Sequence, residues 1–183
     1  MNHSTLYPFA LFLHVVGVIA LVAFYGMEWA TLLRLRRSPE PRHVTEALAS
    51  LGAGRGLIPL GSTLLFVPGA YLAWVGKVEK TPWVAVGLLA MIVLGFLGGS
   101  VTGKRVQAIM ASEGRALATH LPALWNSLVV RASVLIAAIF VMCAKPGIAG
   151  SVTAAAIAFG GGLLIARTTS PRPAEAAVSG DTA

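Results

Sequence analysis

The chain has 183 residues, of which 56% are hydrophobic and only 11% are charged, and it carries a formal net charge of +7. A water-soluble domain of this length cannot bury so much apolar surface in one core, so the composition excludes an ordinary soluble fold. The Arg and Lys residues lie between apolar runs instead of along one face, which indicates membrane topology signals and argues against nucleic acid as a partner.

Five apolar runs are each long enough to cross the ~30 Å of hydrocarbon in a bilayer at ~1.5 Å of rise per residue. They predict an all-α, polytopic transmembrane helical bundle over residues 1–166, with a four-helix core and a C-terminal fifth helix. We predict that the first run is a mature span, because residues 1–8 contain no Lys or Arg and no cleavage pattern follows. The predicted spans cover about residues 7–33, 57–75, 83–101, 124–144 and 148–166.

The segments that connect these spans differ in character. Pro39 and Pro41 break the helix after the first span, and the polar loop there has room for a short surface helix. Residues 106–119 are amphipathic, and we predict that they lie along the membrane surface. Residues 167–183 lack periodicity and bulky apolar side chains, so we predict a disordered tail.

The basic residues predict the orientation of the bundle, because short loops rich in Lys and Arg remain in the cytoplasm. One side of the predicted bundle holds ten of these residues and the other side holds three, while Arg131 lies inside a span. The N-terminus is then outside, and the tail is cytoplasmic. The ten are Arg34, Arg36, Arg37, Arg42, Arg55, Lys104, Arg105, Arg115, Arg167 and Arg172, and the three are Lys77, Lys80 and Lys145.

Two charged residues lie at membrane depth, where an unpaired charge costs several kcal/mol. Glu28 lies about two turns before the cytoplasmic end of the first span, and Arg131 about two to three turns past the cytoplasmic start of the fourth. Because they share a depth, we predict that they form an intramembrane ion pair, with Asn126 or Ser127 as further partners. The alternative is that each side chain reaches the lipid headgroups alone.

His14 lies inside the first span, on a helical stripe with Gly17, Leu21, Tyr25 and Glu28 that must face protein. Two interpretations of this histidine are open. It is either a packing residue held by a hydrogen bond, or a group that binds a metal or haem or handles protons.

Haem held by two histidines would need a second His at the same depth, but His43 and His120 both fall on the cytoplasmic side. Met142 and Cys143 lie near the outer end of the fourth span, close to the depth of His14. A soft copper site formed by His14, Met142 and Cys143 is therefore chemically possible. The expectation from the sequence is no cofactor, with copper or haem as the alternative.

The segment GGSVTGK at residues 98–104 resembles a phosphate-binding loop, but Arg105 replaces the hydroxyl residue and no strand precedes it. We predict no nucleotide binding. Gly95, Gly99 and Gly103 instead form a small-residue face that permits close helix packing. The seven acidic residues are scattered and form no recognisable catalytic motif, so the sequence gives no indication of an enzyme.

Three segments resemble a bacterial family of predicted integral membrane proteins, the domain of unknown function numbered twenty-two sixty-nine. They are FLHVVGVIALVAF, PLGSTLLFVPGAYLA and FVMCAKPG. The matching positions are His14, Gly17, Pro59, Met142, Lys145 and Pro146. The resemblance implies a bacterial inner-membrane protein and assigns no role to these residues. A more distant likeness to copper-resistance membrane proteins slightly favours a metal or redox role, and the fifth span departs from the family's four-helix pattern.

Two functions are compatible with these observations. The first is a structural or partner-binding membrane subunit, which would associate with other membrane proteins or with itself through small-residue faces in the lipid bilayer. The second is a small membrane carrier or redox protein that uses His14.

Overall fold

The computed structural model describes residues 3–37, 41–54 and 56–170. Every regular element in these ranges is a helix, which confirms the predicted all-α fold. The helices are α1 (His3–Arg37), α2 (Pro41–Gly54), α3 (Leu57–Val75), α4 (Pro82–Phe96), a π-helix (Leu97–Gly103), α5 (Lys104–Ala111), α6 (Leu117–Ala144) and α7 (Ile148–Thr169).

Within the described residues, five helical segments are long and apolar enough to cross a membrane. They are α1, α3, the continuous segment Pro82–Ala111, α6 and α7. Their outward faces are apolar: Phe12, Phe96 and Ile157 are 62%, 69% and 68% exposed. Water would disfavour such a surface, whereas hydrocarbon would not.

The third span differs from the prediction, which ended it at residue 101 and placed residues 106–119 along the membrane surface. The helix passes through Gly103 with right-handed backbone angles and continues to Ala111. The turn that follows contains Glu113 and Gly114, which both have positive φ angles. Helices commonly end where the backbone becomes left-handed. The backbone of Gly103 stays right-handed, so the helix does not end there.

The predicted surface helix after the first span is present as α2. Val44, Leu48 and Leu51 follow helical spacing and are buried in one cluster with Leu35 of α1 and Ile109 of α5. The apolar face of α2 therefore lies against the bundle.

The last helix extends beyond residue 166, where the predicted span ended, to Thr169. The Trp125 indole N–H donates to Thr169 Oγ1 at 2.8 Å, and the Arg36 guanidinium lies 4.5 Å from the centroid of the Trp125 ring. The hydrogen bond holds the last turn of α7 against α6, and the Arg36 contact holds the end of α1 against the same tryptophan. The predicted disordered tail otherwise falls on residues 171–183, outside the described part of the chain.

The core is organised around α6, which has the largest set of buried residues and packs against α7, α4 and α1. The helix α1 also packs closely against α3. A Cβ atom at Gly17 would lie 2.7 Å from the backbone nitrogen of Leu65, so only glycine permits this approach. The connection between α6 and α7 is short, with left-handed Lys145 at its start.

Candidate functional site

The structure brings together the two intramembrane charges that were predicted to pair. Arg131 of α6 donates through Nη2 to Oε1 of Glu28 on α1. The two residues are only 2% and 3% exposed. Neither side chain reaches the headgroups, as the snorkelling alternative would require, because both are enclosed between α1 and α6.

The guanidinium of Arg131 has further partners. Its Nε donates to the backbone carbonyl of Ser127 at 3.2 Å. Its Cζ lies 5.1 Å from the centroid of the Tyr25 ring, within the range of a cation–π interaction. Both contacts fix the orientation of the guanidinium, so the charge at the α1–α6 contact occupies a defined position.

Of the two polar residues predicted as further partners of the ion pair, Ser127 contacts it and Asn126 does not. Ser127 contributes its carbonyl, while its hydroxyl lies 3.0 Å from Thr102 Oγ1 in the π-helix. The Oδ1 atom of Asn126 is buried and has no hydrogen-bond partner among the described residues. Ser127 therefore links the ion pair to the π-helix, and Asn126 takes no part in it.

The π-helix lies directly beside the charged pair. A Cβ atom on Gly98 would be 3.8 Å from Arg131 Nη1, so this turn of backbone faces the guanidinium. The Ser100 hydroxyl donates to the Phe96 carbonyl at 2.5 Å, which satisfies one backbone acceptor at the start of the segment. Short π segments within α-helices are frequent at functional sites, because the extra residue per turn changes which atoms face the interior.

A cavity of about 270 Å³ lies at the Glu28–Arg131 pair. Besides these two residues, the described residues that line it include the polar side chains of Thr102 and Gln107. The other described lining residues are apolar and include Phe24, Leu48, Val106 and Leu124. The cavity is thus a largely apolar chamber with one charged pair, which is typical of a ligand site.

One atom of the buried ion pair has an unmet hydrogen-bonding requirement. Oε2 of Glu28 is buried and has no partner among the described residues, whereas Oε1 accepts from Arg131. A buried carboxylate oxygen without a donor costs free energy. The described residues therefore satisfy only one of the two oxygens of the Glu28 carboxylate.

The cavity reaches the surface at the end of the bundle that carries α2. Ala49 and Gly52 of α2 are exposed and line it, together with Ile58 and Met110, which are 37% and 38% exposed. A Cβ atom at Gly52 would meet open space. The helix α2 therefore borders the mouth of the cavity.

His14 lies at the contact between α1 and α3. Its Nδ1–H donates to the Leu65 carbonyl at 2.8 Å, because the carbonyl can only accept. A Cβ atom at Gly69 would lie 2.9 Å from this nitrogen. The hydrogen bond fits the packing interpretation, and it also leaves the Nε2 lone pair available.

Met142 and Cys143 have surroundings that differ from those of His14. Met142 packs against α4, where its Cε would overlap a Cβ atom on Gly87. Cys143 is exposed. Across residues 3–37, 41–54 and 56–170, no three His, Cys, Asp or Glu side chains cluster as a metal site would require. The contacts of these residues give no support to a shared copper site, which stays a prediction.

At two of its three positions, the small-residue face of the third span meets no other helix among the described residues. Cβ atoms on Gly95 and Gly99 would meet nothing within 4 Å. Gly103 ends the π-helix and lies before α5. The segment GGSVTGK is helical, not the loop that a phosphate cradle needs. The open positions at Gly95 and Gly99 leave room for lipid or for a second protein.

Thr102, Gly98 and Gln107 were missed as site residues by sequence reasoning. Thr102 and Gly98 lie in the glycine-rich segment, which was weighed only as a phosphate loop or a packing face. Their proximity to Arg131 depends on the π-helical register, for which the sequence provides no reliable signal. In the sequence, the one indication that this segment contributes to a site is Thr102, a polar residue near the end of an apolar run.

Five helices are long enough to cross a membrane, and their exposed faces are apolar. These features define the chain as a multi-pass membrane protein. Comparison with protein-family models, with curated proteins and with solved structures gives no match to any of them. The resemblance to the numbered bacterial family and to copper-resistance proteins therefore stays a prediction.

Proposed function

We propose that this chain is a membrane-embedded binding protein of the carrier type, which takes a small ligand into the cavity at Glu28 and Arg131. The observation that carries the proposal is that the buried Glu28–Arg131 pair is among the residues that line a cavity of about 270 Å³. Buried ionisable residues in membrane proteins commonly mark the paths of substrates or ions. The site is thus assigned to the ion pair and not to His14.

The proposed setting is a bacterial inner membrane, with the N-terminus outside. The distribution of basic residues supports this orientation, since Arg34, Arg36 and Arg37 end α1 at the side where the cavity opens. The ligand would then enter from the cytoplasm or from the cytoplasmic leaflet. The resemblance to a bacterial family is the support for the organism class.

A photoreactive alcohol tests the proposal. Purified protein in detergent is irradiated with octanol that carries a diazirine, and the labelled residues are identified by mass spectrometry. We expect saturable labelling of cavity residues on α1, α2 and the π-helix. The Gly52→Trp variant places an indole at the mouth and should reduce that labelling several-fold.

The matched control is Ala111→Trp, which introduces the same side chain at an exposed position of α5 outside the cavity wall. Its labelling should equal that of the unaltered protein. Non-saturable labelling spread over the lipid-facing residues, and unchanged by Gly52→Trp, would refute the proposal.

A partner-binding subunit is the second candidate function, and the open space over Gly95 and Gly99 favours it. A second helix could approach the backbone closely at these positions. Gly99→Leu would then weaken self-association or co-purification of a partner, while Leu89→Ile, at an exposed lipid-facing position of α4, would not. Equal association of the unaltered protein, Gly99→Leu and Leu89→Ile would argue against this candidate.

A further inference from the structure

The part of the cavity that a ligand can reach lies near its mouth. Glu28 and Arg131 bond to each other and are only 3% and 2% exposed, so their polar groups are closed to a ligand. The exposed residues of the described lining are Ala49, Gly52, Ile58, Gln107 and Met110. All of these except Gln107 are apolar. The accessible wall therefore favours a hydrocarbon group that carries one polar end.

The lengths of the helices place this mouth at the level of the lipid headgroups. About 20 residues cross the ~30 Å of hydrocarbon, and α3 has 19. Ile58, the second residue of α3, therefore lies at the boundary of the hydrocarbon. The third span, Pro82–Ala111, starts shortly after α3 ends and has 30 residues, so about the last ten extend beyond that boundary. Gln107 and Met110 are among these residues.

Two exposed donor side chains lie close together on α5 at this level. Lys104 and Gln107 are three positions apart, and residues at this spacing are neighbours on a helix surface. Neither side chain has an ion-pair or hydrogen-bond partner within the described part of the chain. The long Lys104 side chain can extend along the helix toward the headgroups, which brings its ammonium group toward Gln107. An uncompensated positive charge therefore lies one helical turn from a residue of the lining.

The charge at this end of the bundle favours an anionic group. Glu46 of α2 lies three positions before Ala49 of the lining, but Glu46 already has an interaction of its own. Besides Lys104, the exposed basic residues at this end include Arg34, Arg36 and Arg37. A carboxylate accepts a hydrogen bond from the Gln107 amide and compensates the Lys104 ammonium, whereas a cation is repelled.

We infer that the cavity takes the anion of a medium-chain fatty acid, such as octanoate, with its carboxylate at Lys104 and Gln107 and its hydrocarbon chain beside Ile58. This inference rests on the proposed binding function and specifies its ligand class. The volume of about 270 Å³ lies just below the roughly 300–1,000 Å³ typical of ligand sites, so the chain is a short one. The carboxylate stays at the headgroup level and avoids the cost of a charge in hydrocarbon.

Competition against the diazirine-bearing octanol, in a non-ionic detergent, tests the ligand class. The competitors are octanoate, octanol and octylamine, which share one chain length. In Lys104→Gln, we expect the octanoate concentration that displaces half of the cavity label to rise about threefold, the effect of one exposed ion pair. The octylamine concentration should fall, because a like charge is removed, and the octanol concentration should not change. Lys104→Arg keeps the charge and should behave as the unaltered protein does.

The matched control is Arg167→Gln, which removes an exposed positive charge at the same end of the bundle, on a helix that contributes no residue to the described lining. It should leave all three concentrations unchanged. An equal rise for octanoate in Arg167→Gln would show diffuse attraction and overturn the assignment to Lys104. Unchanged octanoate competition in Lys104→Gln would overturn the anion class, while the saturable label still supports a binding cavity. If the unaltered protein shows no saturable label, the proposed function itself fails.

Discussion

Arg131 donates a hydrogen bond to Glu28, a residue 103 positions earlier in the chain, and both side chains are buried. The contact joins α6, which packs with α7 and α4, to α1, which packs with α3. It therefore holds together two groups of helices. It also places a compensated charge pair beside the cavity, so the same two residues serve the fold and the proposed site.

Reversal of either charge should destabilise the bundle strongly. Glu28→Arg or Arg131→Glu leaves two like charges buried together, and loss of one partner from a buried pair alone costs about 3–5 kcal/mol. We expect little monodisperse protein from either single variant in detergent size-exclusion chromatography. The double variant Glu28→Arg with Arg131→Glu should recover a large part of the yield. A double variant no better than the single variants would contradict a direct pairing.

The crossing of α1 and α3 should tolerate no side chain at Gly17. Gly17→Ala places a Cβ against the backbone of Leu65, which cannot rotate away, and overpacking of this kind costs about 1–3 kcal/mol. The thermal midpoint in detergent, followed by tryptophan fluorescence, should fall. Gly26→Ala on the same helix is the control, because its Cβ meets open space and alanine favours the helix. Equal midpoints for the two variants would show that the close crossing is unimportant.

The hydroxyl contact between the π-helix and α6 should make a small, measurable contribution. Thr102→Val keeps the shape of the side chain but leaves the Ser127 hydroxyl without this partner, at a cost of about 1 kcal/mol. Thr31→Val is the matched control, since the Thr31 hydroxyl donates to the carbonyl of Met27 in its own helix and not to a neighbouring helix among the described residues. We expect a lower thermal midpoint for Thr102→Val alone. A decrease of the same size in both variants would mean that the contact adds nothing specific.

The end of α3 should become more stable with glycine at position 77. Lys77 has a φ of 52°, in the left-handed region, where glycine avoids a steric cost of roughly 1–2 kcal/mol. Glycine also makes the unfolded chain more flexible, and this offsets part of the gain. Lys77→Gly should therefore raise the free energy of unfolding by about 0.5–1 kcal/mol. Lys80→Gly, in the same loop but without a left-handed backbone, should bring no gain. A rise in midpoint for Lys80→Gly alone would contradict the argument.

The proposed orientation can be tested with the single cysteine. Cys143 is exposed near the end of α6 that faces outward in this orientation, so a membrane-impermeant maleimide should label it in intact cells. In a Cys143→Ser background, Arg115→Cys should be labelled only after the cells are permeabilised, because this exposed turn lies at the opposite end of α6. The reverse pattern would invert the topology.

Much of the fold was predictable, because apolar runs and their flanking residues determine where spans lie. The predicted bounds of the second span are those of α3, and Pro82 occupies the first turn of α4, where its missing N–H costs nothing. The continuity of α4 with α5 was not predictable from these signals. The third span is predicted to end at residue 101, but the backbone stays helical through Gly103.

The site was predictable only in part, for a physical reason. Glu28 and Arg131 could be paired from depth alone, because an isolated charge is costly in lipid. The cavity depends on the π-helical register at Gly98 and on the position of α2 over its mouth. Both are consequences of tertiary packing, and no local pattern of residue types encodes them.

The short turn between α6 and α7 has a consequence for how the protein is made. The helix α6 ends at Ala144 and α7 begins at Ile148, so the two must fold back on each other almost immediately. Only Lys145, Pro146 and Gly147 separate them, so α7 cannot leave the translocon far from α6. Its membrane integration is therefore expected to depend on α6, with the two helices leaving the translocon together as a hairpin.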